Sequence, residues 1–180
     1  FTYNGFINSV NGELLGKWGN FINRTLLFIN KSFDGRLDKE EIDLEVKNKL
    51  EDLYKGVGDA IIKGNVKEGL EIIFDFISYA NKYFDINTPW ILAKENPSEC
   101  KRILYNCVNI IVNVNTLLKP YLPDSTKKVE SYLNFKNDAW KYYNLKDVNV
   151  SEGISPLYTR YDKKIIEEET KAHQRKKLDK

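Results

Sequence analysis

Apolar residues recur at every third or fourth position over most of the chain, which is the spacing of one helical face. Phe6, Val10, Leu14, Trp18, Ile22, Thr25 and Ile29 mark a first long helix. It stops at Lys31-Ser32-Phe33-Asp34-Gly35, where Asp-Gly is a turn signal. Ile42, Val46, Leu50, Leu53, Val57 and Ile61 outline a second helix, closed by Gly64-Asn65. Asn65 followed by Glu68 has the form of a capping box and opens a third helix through Leu70, Ile73, Ile77 and Ala80. That helix is predicted to end before Asp85-Ile86-Asn87-Thr88-Pro89. A fourth has the clearest start: Asn96 caps, Pro97 takes the first helical position and Glu99 completes the box. Its stripe is Ile103, Cys107, Ile110, Val114 and Leu117, and Pro120 ends it. A shorter fifth helix begins near Pro123 or Asp124 and passes through Val129 to about Leu133. Short turns and the lack of any run of alternating strands predict an all-α fold, a bundle of about five helices.

Beyond Leu133 the pattern loosens. Residues 134–144 are polar and aromatic, and Val148-Asn149-Val150 is predicted to pair with Pro156-Leu157-Tyr158 as short strands. From Asp162 the chain reads as a charged helix, with Glu167-Glu168-Glu169 near its start and Arg175-Lys176-Lys177 near its end, which suits the helix dipole. A solvated helix is the first interpretation of that run, and an RNA-binding tail is the second. The expected division is therefore a helical bundle over residues 1–135 and a C-terminal extension, 136–180, that packs back on it.

Composition narrows the functional classes. The 180 residues are 42 % hydrophobic, enough apolar material for a core. Lys and Arg total 28 against 26 Asp and Glu, a net charge of +2 that does not announce a nucleic-acid partner. A local patch can still act within a balanced total. Apolar runs such as Ile72-Ile73-Phe74 and Ile110-Ile111-Val112 are far shorter than the roughly 20 residues that cross a bilayer. No secretory signal pattern is present, and a cytoplasmic location is expected. Cys100 and Cys107 share one helix face about two turns apart, too far for a disulfide within that helix. His173 is the one histidine, so a zinc site or a histidine-driven nucleophile is not expected. No phosphate loop or nucleophile elbow occurs, and the carboxylates lie on charged helix faces. No catalytic residue and no metal site is expected in these residues. The chain starts at Phe1 and contains no methionine, which reads as part of something longer.

Two polar-aromatic constellations remain. Gly19-Asn20-Phe21-Ile22-Asn23-Arg24 puts Asn20 and Arg24 one turn apart on one helix face. An amide beside a guanidinium offers an acceptor and donors suited to the edge of an unpaired base. The same two residues also suit an amide that ties helices together and a surface ion-pair member. In Thr88-Pro89-Trp90-Ile91-Leu92-Ala93-Lys94, Pro89 stiffens a link between helices and Trp90 offers a flat face for a splayed base. An apolar plug at the end of the bundle fits that tryptophan equally well.

Together these stretches resemble the C-terminal anticodon-binding domain of methionyl-tRNA synthetases, a class I family. The resemblance rests on Gly19 to Arg24, on Phe28-Ile29-Asn30-Lys31 with Phe33-Asp34-Gly35, and on Ala80-Asn81-Lys82-Tyr83-Phe84. It continues with Pro89-Trp90, Ala93-Lys94 and Pro156-Leu157-Tyr158, in order along essentially the whole chain. It implies that the bundle receives the CAU anticodon loop of the methionine tRNA. Trp90 would stack on the wobble cytosine while Asn20 and Arg24 contact its edge, with Asn81, Pro89 and Lys94 in support. It also implies a parent methionine-tRNA ligase whose catalytic domain, outside this chain, binds ATP and is a partner of the bundle. The nucleotide-binding signatures of the His-Ile-Gly-His and Lys-Met-Ser-Lys-Ser types are absent, as is the tRNA-binding barrel that many members append. Trp18, just ahead of the Gly19-Asn20 motif, is larger than the family pattern leads one to expect. It suits either a core position or one that reshapes the reading surface. The alternative function is a synthetase-related interaction or scaffolding module without anticodon specificity.

Overall fold

The computed structural model describes residues 3–155 and residue 175. Its elements are α1 (Tyr3–Phe33), β1 (Arg36–Leu37), α2 (Leu44–Ile62), α3 (Val66–Asn87), α4 (Pro89–Glu95), α5 (Pro97–Leu118), α6 (Pro123–Leu133) and β2 (Val148–Asn149). The five long helices are those that the apolar spacing predicts. Both capping boxes form: the Asn65 side chain accepts from the Glu68 amide at 3.1 Å, and Asn96 from the Glu99 amide at 3.3 Å.

The centre of the molecule is α5. Every residue from Ile103 to Leu118 is buried, and the helix packs against α1, α2, α3, α4 and α6. A helix covered on all sides has no solvent face on which to leave its polar residues. Asn106, Asn109, Asn113 and Asn115 are accordingly buried, and all four brace other segments, Asn115 by donating to the Thr126 carbonyl of the helix after α5 at 3.2 Å. The Asn113 amide donates to the Tyr143 carbonyl and accepts from the Tyr143 amide, both at 2.8 Å, and also accepts from the Tyr54 hydroxyl at 2.9 Å. Asn109 donates to the Tyr142 hydroxyl at 2.9 Å. Asn106 accepts from the Asp43 amide at 2.8 Å. The Asn109 and Asn113 bonds hold the stretch after α6 against the bundle, and Leu145, Val148 and Val150 join the same apolar core.

Three features depart from the predicted elements. First, α3 does not end before Asp85 but runs to Asn87. The Asp85 carboxylate is bonded to Arg24 of α1 rather than competing for the local backbone, and the Asn87 side chain donates to the Tyr83 carbonyl at 2.8 Å. Second, the Pro89-Trp90 stretch is a short helix, α4, and not a loop. Third, Val148–Asn149 pairs antiparallel with Arg36–Leu37, Leu37 opposite Val148 and Arg36 opposite Asn149. Its predicted partner, Pro156-Leu157-Tyr158, lies outside the described residues. So do the side chains of Phe6, Val10 and Leu14 and most of the charged segment 162–177, of which Arg175 alone is described, helical and exposed.

The turn into β1 requires glycine. Gly35 has φ +76°, and a Cβ on it would lie 2.7 Å from the Asn30 side-chain oxygen and 3.0 Å from the Val150 carbonyl. Cys100 and Cys107 are free and buried.

Candidate nucleic-acid interface

Helices α1 and α3 lie side by side in constant register. Lys17 meets Ser78, Asn20 meets Asn81 and Arg24 meets Asp85, each pair 61 positions apart. Two helices hold such a register when they run parallel and nearly straight past each other, one turn matched to one turn. The result is a ladder of polar side chains facing solvent above an apolar floor.

The second rung fixes the orientation of an amide. Asn81 Nδ2 donates to the Lys17 and Ile77 carbonyl oxygens, each at 3.2 Å, so its Oδ1 must face Asn20. Asn20 answers with its amino group at 3.2 Å. Its own carbonyl oxygen is therefore directed away from α3, and Asn20 is exposed. The third rung is ionic. Arg24 is bonded to Asp85, and its guanidinium carbon stands 4.0 Å from the centre of the buried Phe84 ring. One carboxylate and one aromatic face hold the planar group, and the rest of its donors remain available.

Phe84 connects this ladder to Trp90. The two ring centres are 6.3 Å apart with 36° between the planes. Trp90 is 47 % exposed, in the first turn of α4, so one part of its ring covers Phe84 and the rest is open to solvent. Its presentation starts at Thr88, which ends α3 and begins α4 with φ +44°, a strained value for a β-branched residue. Pro89 follows, buried, with its carbonyl accepting from the Cys100 thiol at 3.4 Å. Phe84 thus links Arg24 to Trp90, while Asn81 bonds Asn20 and Pro89 precedes Trp90 in the chain. Lys94 is exposed in the last turn of α4 and takes no part in the bonds that build the cluster among the described residues.

Trp18 lies beneath this surface and not in it. It is fully buried, its ring 6.4 Å from that of Phe21, and its indole nitrogen has no hydrogen-bond partner among the described residues. Two further residues join this cluster by contact. Phe84 is visible in sequence only as part of an apolar stripe. Asp85 reads as a helix breaker, and nothing local reveals that it faces Arg24.

The electrostatics of this end of the bundle centre on Asp43. Its carboxylate accepts from the Tyr83 hydroxyl and from Arg102, which also holds Glu99. Asp43 thereby joins the starts of α2 and α5 to the end of α3. The Arg102 guanidinium keeps the Glu99 carboxyl below the usual range, and burial pushes the Tyr83 hydroxyl far up. Another cleft of about 700 Å³ opens beside α6, between Pro123 and Phe135. Its Lys119 ammonium is already bonded to Glu130 and Asp138.

Comparison with known proteins bears on the fold and the family. A family model for the anticodon-binding domain of methionyl-tRNA ligase matches residues 38–177. A methionine–tRNA ligase of Bacillus cereus (strain G9842) is 45 % identical over 169 residues, covering 94 % of this chain and 31 % of that protein. One from Bacillus mycoides (strain KBAB4) is 44 % identical over the same shares. The chain thus spans about a third of the length of these curated relatives. Among solved structures, Mycobacterium tuberculosis methionyl-tRNA synthetase bound by methionyl-adenylate superposes with a TM-score of 0.74 at 19 % identity. That match covers 88 % of this chain and 34 % of the other, and it establishes the fold. The molecule is therefore a helical domain of the aminoacyl-tRNA ligase class. Within that class, the chain belongs to the family of methionyl-tRNA ligase anticodon-binding domains.

Proposed function

We propose that the chain receives the anticodon loop of the methionine tRNA and reads the wobble cytosine of CAU at the surface formed by Asn20, Arg24 and Trp90. Trp90 stacks on the flipped base. The Asn20 carbonyl accepts from the exocyclic amine of the cytosine, and Arg24 donates to its ring nitrogen and carbonyl. A uracil inverts two of those three groups, presenting a carbonyl to the Asn20 oxygen and an N–H to the guanidinium. Discrimination then comes from unpaired polar groups as much as from those that pair. The observation that carries this reading is the outward carbonyl of Asn20, set by Asn81, with the Arg24 guanidinium held over Phe84 and the half-exposed indole of Trp90 packed against that same ring.

The parent protein, on this reading, is a cytoplasmic methionine–tRNA ligase. Its ATP- and methionine-using catalytic domain lies in residues outside this chain and is the bundle's second partner. Among the described residues no helix is long and apolar enough to cross a membrane. The direct test is titration of the 180-residue chain with fluorescently labelled methionine anticodon stem-loops carrying each of the four wobble bases. Tightest binding to cytosine is expected. Equal affinity for all four bases would overturn the assignment.

A further inference from the structure

The groove between α1 and α3 continues past the Asn20–Asn81 rung as an open cleft of about 620 Å³, bordered by Gly16, Lys17, Ser78 and Lys82. Gly16 is the unexpected member. It sits well inside a 31-residue helix, where glycine is among the poorest formers. A Cβ there would meet nothing within 4 Å, and its backbone is not in the left-handed region. Neither packing nor conformation calls for the missing side chain. What the glycine does is leave bare helix backbone along one wall of the cleft.

Two lysines line the walls, Lys17 paired with Glu13 and Lys82 without an ion pair among the described residues. The Lys17 ammonium is oriented by the Ser78 hydroxyl at 3.4 Å and by the Phe74 ring at 4.3 Å, with Glu13 at 3.9 Å. Lys82 is exposed. Asp85, the one acid bordering the cleft, is bonded to Arg24. Beside a surface suited to one unpaired base, two ammonium groups and a bare backbone suit what must accompany that base.

We propose that this cleft seats the sugar-phosphate of the nucleotide next to the base held at Trp90, with Gly16 providing the room and Lys17 and Lys82 the countercharge. The proposal rests on the anticodon-loop reading given above. In this role Gly16 and Lys82 set affinity without selecting the base, because a phosphodiester carries no sequence information. A side chain at this position would project into the space the nucleotide backbone is to occupy.

Stability and binding then move in opposite directions on Gly16→Ala. The variant gains a better helix former in open space, so its melting temperature rises, while stem-loop affinity falls and the preference for cytosine stays. Lys82→Gln loses one phosphate contact, so binding weakens roughly three- to tenfold at moderate salt and the slope of log K against log salt falls by about 0.7. Both variants are titrated in the 180-residue chain with cytosine and uracil stem-loops and with polyuridylate. If both bind like the parent while cytosine is still preferred, the cleft is plain surface and the inference fails alone. If the parent shows no base preference, the anticodon reading fails; weaker polyuridylate binding by both variants would still support a backbone seat, and unchanged binding would remove it.

Discussion

At the scale of single residues, Asn81 does more than its exposure suggests. Its amino group lies between two carbonyl oxygens, and that arrangement fixes which atom Asn20 presents to solvent. In Asn81→Ala the Asn20 amide is free to flip, so the cytosine-over-uracil affinity ratio is expected to fall toward one, while stability falls by about 1 kcal/mol for each of the lost hydrogen bonds. Trp90→Ala acts differently. It removes a stacking face worth roughly 1–3 kcal/mol per base and lowers affinity for every wobble base, with little change in stability because the ring is half exposed. Stem-loop titrations beside thermal melts separate the two cases. Trp18 provides a contrast of a third kind. Its indole N–H is buried without a partner among the described residues, at a desolvation cost of about 1–3 kcal/mol. Trp18→Phe removes that cost together with some packing volume. A stability change within about 1 kcal/mol in urea titration is expected, with cytosine preference retained. The types and helical spacing of Asn20 and Arg24 were legible in the sequence because spacing alone puts them on one face. Trp18 was not, because an apolar stripe cannot tell a core position from one at the rim of a site.

At the scale of elements, what the sequence revealed follows how far each element depends on its own residues. The five long helices carry period, cap and stop within themselves. Seven-residue α4 is too short to show a period, and it forms because Thr88 turns the chain and Pro89 is anchored under α5. The β1–β2 pair is two residues long on each side and is set by register with a segment more than a hundred positions away, so no local pattern announces it. The asparagines of α5 mislead in the opposite sense. Their residue type suggests a wet face, yet they are buried because α5 is surrounded and because each meets a partner that only the folded chain supplies. Asn113 serves three groups at once. Asn113→Ala leaves the Tyr143 amide and the Tyr54 hydroxyl without that partner, and about 1–3 kcal/mol for each buried group so orphaned predicts a loss of roughly 2–5 kcal/mol. Hydrogen exchange should report it locally: amides of residues 142–145 lose protection before those of α1 and α3.

At the scale of the whole molecule, the tyrosines that hold helices together also set how the fold responds to alkali. Burial pushes the Tyr54 hydroxyl up to about 12, and burial with the nearby Glu45 charge does the same for Tyr79. Tyr83 is raised further by burial and by its bond to Asp43, and Tyr105 and Tyr142 shift in the same direction. In the unfolded chain these phenols ionise near pH 10, as free tyrosine does. Between about pH 10 and 12 the unfolded state therefore releases protons that the folded state keeps, and stability falls as pH rises. Below pH 10 both states are protonated and the contribution is fully present. The urea midpoint is thus expected to be flat from pH 7 to 9 and to decline steeply above 10, with phenolate absorbance in the folded protein lagging behind that of the denatured chain. Tyr83→Phe and Tyr54→Phe each remove one of the titrating groups and should make the decline shallower. Tyr83→Phe carries a further consequence, because Tyr83, next in sequence to Phe84, meets Arg102 at Asp43 where α2, α3 and α5 converge. If that node positions the end of α3, Tyr83→Phe lowers stem-loop affinity at neutral pH while Tyr54→Phe, on the far side of α2, leaves it unchanged; equal affinities for the two variants would show that the node supports the fold without positioning the site.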